Sequence, residues 1–150
     1  MAIVALIIWL ATAGAGLYLL AVWLIEYDRD FQGSAATRLP VPVIGSHALL
    51  AVAGLGVWST YLLAGNDRLA WLAVAILGCA AVLGLVMAMR WLGVRRSAGL
   101  ALAGGSTRRA GYAPVPPERH FPVAVVVTHG IFAAGTVIAV LLTAFGIGSS

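Results

Sequence analysis

Four long apolar segments, each of the length needed to cross a membrane, constrain this chain more than any other feature. They run from Ala2 to Ile25, Val43 to Ala64, Leu69 to Met89 and Phe121 to Ile147, and none contains Asp, Glu, Lys or Arg. A helix needs about 20 apolar residues to cross roughly 30 Å of hydrocarbon. Within lipid every backbone polar group must be satisfied internally, and runs this long are helices because membrane strands are about half that length. Of the 150 residues, 62% are hydrophobic and 9% charged, with a mean hydropathy of +1.02. Too little polar surface remains to cover a water-soluble domain. The expected fold is all-α: a single integral membrane domain, residues 1–150, forming a four-helix bundle in contact with the lipid bilayer.

No basic residue precedes the first segment, and its apolar run exceeds the roughly 7–15 residues of a signal-peptide core, so a retained first helix is expected. The one cysteine, Cys79, lies inside the third segment, where it serves packing and leaves no partner for a disulfide or a thiolate cluster within one chain. All nine basic residues are arginine, which together with the abundant Ala, Gly and Val matches a GC-rich bacterial genome. The expected location is therefore a bacterial inner (plasma) membrane.

The arginines also orient the bundle. Residues 26–42 hold Arg29 and Arg38, and residues 90–120 hold Arg90, Arg95, Arg96, Arg108, Arg109 and Arg119, whereas the opposite turn Gly65-Asn66-Asp67-Arg68 holds one. Positive-inside counting puts both long loops in the cytoplasm and both termini outside. These charges are scattered over loops and form no stripe, so nucleic acid is not expected as a partner. The turn at Gly65 makes the second and third helices antiparallel neighbours. Glycines and prolines between Ser97 and Arg119 predict a flexible cytoplasmic loop over 95–119.

The chain also repeats itself. Leu39-Pro40-Val41 precedes Ser46-His47-Ala48, and 82 residues later Phe121-Pro122-Val123 precedes Thr128-His129-Gly130. Gly16-Leu17 and Trp23-Leu24 recur as Gly84-Leu85 and Trp91-Leu92 at an offset of 68. This pattern predicts two duplicated helical hairpins, related as parallel repeats by an axis along the membrane normal. It places His47 and His129 at equal depth, each about 10 Å along its helix from the preceding proline.

Ionisable side chains at membrane depth are costly and normally face a cavity, a partner or a cofactor. Two matched imidazoles suit an iron that takes one ring nitrogen from each side. Ala51 and Ala133 one turn on, and Gly54 and Thr136 two turns on, share the histidine face and leave room beside it. Arg38 and Arg119, nine and ten residues before the histidines, have guanidinium forks suited to haem carboxylates.

This arrangement resembles the membrane cytochromes b of the four-helix type, and is nearest to the one-haem membrane anchors of the succinate dehydrogenase class. The resemblance rests on His47, His129, the flanking arginines and the helix count. It implies one haem b, with His47 and His129 as metal ligands, and a quinone or a cytoplasmic redox subunit as electron partner. The cytochrome b561 class typically uses four histidines for two haems, whereas this chain has three histidines in all, with His120 at the edge of the last span. No Gly-rich nucleotide fingerprint, CxxCH motif or iron–sulfur cysteine set is present, so the chain is expected to be an electron carrier or a subunit of a larger membrane redox complex rather than a complete enzyme. Two other classes stay open: a non-redox structural or assembly subunit docking through small residues such as Ala11, Ala15 and Gly54, and a small transporter or proton path, which the lack of acids in the spans disfavours. A homo-oligomer is compatible with the large apolar surface.

Overall fold

The structure, a computed structural model, describes residues 1–29, 37–103 and 115–147. It contains four long helices: α1 (Ala2–Arg29), α2 (Val41–Ala64), α3 (Asp67–Ala103) and α4 (Val123–Ala144), with a short 3-10 turn, Pro117–His120, ahead of α4. Each is long and apolar enough to span a membrane. The protein is a multi-pass membrane protein built of helices.

Local chemistry sets where the helices begin and end. Prolines lead α2 and α4: Pro40 (φ −63, ψ 126) and Pro122 (φ −63, ψ 125) hold the same extended conformation before the first turn. Each carbonyl then accepts two N–H groups, from Val43 and Ile44 after Pro40 and from Val125 and Val126 after Pro122. Proline suits this place because its fixed φ is helical-ready and its missing N–H is not needed there. At the far end of α2, Gly65 takes a left-handed φ of 63° and donates its N–H to the Tyr61 carbonyl at 2.8 Å. Only glycine adopts that conformation without a Cβ penalty. Asn66 then accepts the Arg68 N–H on its side-chain oxygen at 3.0 Å, starting α3 one residue later.

α3 continues well past Met89, through Ala103. Good helix formers such as Arg90, Leu92, Arg95 and Arg96 extend it beyond the apolar run, and Gly93 and Gly99 weaken it without breaking it. Of the loop expected over 95–119, residues up to 103 are thus helical, 117–120 form the 3-10 turn, and 104–114 lie outside the described residues. The last span ends as a helix at Ala144, and Gly146 (φ 76) turns the chain there.

Helices α2 and α3 pack most closely together, as do α1 and α4, while α3 with α4 and α1 with α2 make lighter contacts. The inward stripe of α1 is Ala5, Trp9, Thr12, Gly16 and Trp23; that of α3 is Ala73, Leu77, Ala80, Gly84 and Trp91. Spacings of three and four residues keep each stripe on one face. Small residues on such faces let membrane helices approach closely, and van der Waals contact then holds them. Trp58 is fully buried in the core cluster with Trp9, Leu77 and Val140, and donates its indole N–H to the Ala2 carbonyl at 3.2 Å. The outer surface is apolar, as with Leu63, 90% exposed, and Leu49. That inversion of the soluble pattern is what contact with lipid requires.

Candidate functional site

His47 on α2 and His129 on α4 come together inside the bundle, with ring centroids 6.3 Å apart and ring planes at 69°. Both are half-buried. The Nδ1 of His47 lies 2.8 Å from the Ala80 carbonyl of α3, and the Nδ1 of His129 lies 3.0 Å from the Thr12 carbonyl of α1. A carbonyl oxygen can only accept, so Nδ1 carries the proton in both rings. In the neutral imidazole the remaining nitrogen, Nε2, then presents its lone pair, which is the form a metal ligand takes.

Glycines make this placement possible. A Cβ on Gly16 of α1 would stand 3.0 Å from Cε1 of His129, and one on Gly84 of α3 would stand 3.1 Å from Cε1 of His47. Each histidine therefore lies in a notch on the helix that also supplies its carbonyl acceptor. The two notches are spaced alike: Thr12 to Gly16 and Ala80 to Gly84 are both one helical turn, and the pairs are 68 residues apart.

The remaining candidates are placed as follows. Ala51 and Ala133 are half-buried one turn beyond the histidines. Gly54 is buried against Trp9 and Ile76, where an added Cβ would meet the indole at 3.0 Å. Thr136 is buried, donates its hydroxyl to the Phe132 carbonyl at 2.8 Å, and lies 3.2 Å from the Thr12 hydroxyl. At this level the Trp9 indole and a pair of threonines occupy the bundle. Arg38 and Arg119 are exposed at the charged end. His120 faces Glu26 with Nδ1 3.8 Å from Oε2, and Cys79 is exposed on α3.

Two features at the charged end are less apparent in the sequence. Glu118, 0% exposed, accepts hydrogen bonds from the Thr37 hydroxyl at 3.0 Å and the Arg38 N–H at 2.6 Å. It ties the turn before α4 to the approach of α2, the two histidine-bearing helices. The only sequence signal for it is one acid between a proline pair and the last span, in Pro116-Pro117-Glu118-Arg119-His120. The other is a contrast between the two matched tryptophans. Trp23 donates to the Thr37 hydroxyl at 3.4 Å, whereas the buried indole N–H of Trp91 has no acceptor among the described residues, with Arg95 stacked 5.3 Å above its ring.

Among the described residues, no group of three or more His, Cys, Asp or Glu side chains gathers to hold a metal ion on protein ligands alone. What the bundle offers is a two-imidazole set. Its ring centroids stand 6.3 Å apart, and a neutral imidazole nitrogen is a common metal ligand. No protein-family model, curated protein or solved structure matches the chain.

Proposed function

We propose that this protein is a membrane b-type cytochrome-like electron carrier, or a subunit of a membrane redox complex, holding one haem b between His47 and His129. The observation that supports the reading is the histidine pair, with ring centroids 6.3 Å apart and each ring anchored through Nδ1 to a carbonyl of a neighbouring helix, which leaves Nε2 with the lone pair. Haem held there by His47 and His129 would supply one-electron redox chemistry, tuned by its ligands and burial.

The chain's own residues do the rest. The Ala80 and Thr12 carbonyls fix the tautomer and raise the basicity of each ligand. Gly16 and Gly84 admit the rings, and Ala51 and Ala133 keep the adjacent turn small. At the charged end, Arg119 and the Trp91 N–H, which has no acceptor among the described residues, are donors suited to carboxylates. Hydrocarbon-facing helices exclude water from the site, and a quinone in the membrane or a soluble redox subunit at the charged end serves as partner.

We further propose that the chain is a duplicated helical hairpin, with the arginine-rich end in the cytoplasm of a bacterial cell. Matched proline caps, matched histidine notches and the stripes at an offset of 68 support the duplication. The excess of arginine at one end supports the orientation.

The deciding experiment is the visible spectrum of the purified full chain, oxidised and reduced, prepared with haem available. The reading expects a sharp low-spin b-type band at one haem per chain, lost in both His47→Ala and His129→Ala. A colourless wild-type protein without stoichiometric iron sinks it and leaves a structural or assembly subunit as the better account.

A further inference from the structure

Beside the histidine site, and on the outside of the bundle, an open cleft of about 460 Å³ lies between the approach of α2 and the flank of α3. Thr37, Arg38, Pro40 and Val41 line one side, Arg90 and Gly93 the other. Trp91 and Val94 are the buried residues of this part of α3, whereas Arg90 and Gly93 are exposed, so the cleft opens outward from the bundle and not toward the histidines.

Its position and charge are unusual together. Arg90 lies within the candidate span Asp67–Ser97, where an arginine is tolerated only if it reaches polar partners at the interface. It donates one N–H to the Arg38 carbonyl at 3.0 Å, which holds its guanidinium at the cleft. Glu118 is engaged by the Thr37 hydroxyl and the Arg38 N–H, and Glu26 faces His120. Among the described residues, no carboxylate is paired with the guanidinium of Arg38 or of Arg90. Two arginines thus flank a cleft with apolar walls of Leu39, Pro40 and Val41, at the level where spans meet lipid headgroups.

We propose that this cleft binds the phosphodiester of an anionic phospholipid, with Arg38 and Arg90 on the phosphate oxygens and the apolar wall against the first acyl carbons. Guanidinium forks match phosphate oxygens, and basic pockets between membrane helices hold anionic headgroups. Free phosphate shares the charge chemistry and lacks the apolar part, so the wall favours the lipid. The proposal goes beyond the haem reading and does not depend on it.

The test is native mass spectrometry of the full chain in mild detergent, with dioleoylphosphatidylglycerol, dioleoylphosphatidylcholine or inorganic phosphate added separately. One phosphatidylglycerol is expected to be retained in preference to phosphatidylcholine. Arg38→Gln and Arg90→Gln should each weaken retention several-fold, and the double variant about tenfold or more. Arg38→Gln leaves its backbone bond to Glu118 intact, so the fold is kept. Arg96→Gln, exposed at the same end outside the cleft, should retain the lipid as the wild type does. Equal retention of the two lipids, unchanged retention in the double variant, or displacement of phosphatidylglycerol by equimolar inorganic phosphate each overturns the proposal.

Discussion

His129 and Gly16 fit together as side chain and notch: Cε1 of the imidazole lies 3.0 Å from where a Cβ on the glycine would stand, while the same ring bonds the Thr12 carbonyl one turn away. His47 and Gly84 repeat the relationship at 3.1 Å, with the Ala80 carbonyl in the place of Thr12. A histidine held by both contour and hydrogen bond has little freedom left. This makes the position of the rings sensitive to changes on helices that carry no ligand.

Gly16→Ala and Gly84→Ala are therefore expected to displace a histidine ring or push the helices apart, at a cost of about 1–3 kcal/mol for an overpacked site. Gly14→Ala and Gly78→Ala, where an added Cβ meets nothing within 4 Å, should be neutral or up to about 1 kcal/mol stabilising. Denaturation in detergent compares the four. Equal effects at all of them would show that the notches do not matter.

Glu118→Ala removes the acceptor of the Arg38 N–H and the nearer acceptor of the half-buried Thr37 hydroxyl, which costs about 1–3 kcal/mol. Glu118→Gln keeps one accepting oxygen and should recover part of that loss. Limited proteolysis at the charged end should report loosening in the alanine variant first. A fully stable Glu118→Ala protein counts against the latch.

Trp58→Ala opens a cavity in the fully buried cluster and is expected to destabilise by about 3–5 kcal/mol. Trp58→Phe keeps most of the volume and loses only the bond to the Ala2 carbonyl, so it should cost about 0.5–1.5 kcal/mol, plus any gap left by the smaller ring. Thermal unfolding of both variants checks the order, and the reverse ranking refutes the packing described.

Trp23→Phe and Trp91→Phe remove similar rings from matched positions, yet among the described residues only Trp23 has an indole hydrogen bond to lose. In protein without bound cofactor, Trp23→Phe should be the more destabilising by up to about 1 kcal/mol. Parallel unfolding curves measure the difference. An excess cost at Trp91 would mean that its N–H does find an acceptor.

Much of the architecture was legible because lipid imposes simple rules on sequence. The length of each apolar run placed four spans, Pro40 and Pro122 marked where two of them begin, and Gly65 marked a sharp end. The reach of α3 was not legible: hydropathy falls after Met89, but helix propensity does not, and the helix follows propensity to Ala103. Gly54 looked like free space beside a histidine face, and the Trp9 indole from another helix fills it. Glu118 was missed because one acid next to a span looks like any solvated loop charge until its own burial and its two donors on the approach to α2 are seen.

By itself, the sequence determined that this is a membrane protein of four helices carrying two histidines seven residues beyond two prolines, since hydropathy, spacing and proline geometry are local properties of the chain. Only the tertiary structure decided that the rings meet at 6.3 Å, that α3 orients one and α1 the other, and that two arginines share an outer cleft. The physical reason is that a carbonyl acceptor is the same in every residue and leaves no mark on its side chain. Which carbonyl a histidine finds depends on how the helices pack, and that packing joins residues 33 and 117 positions apart.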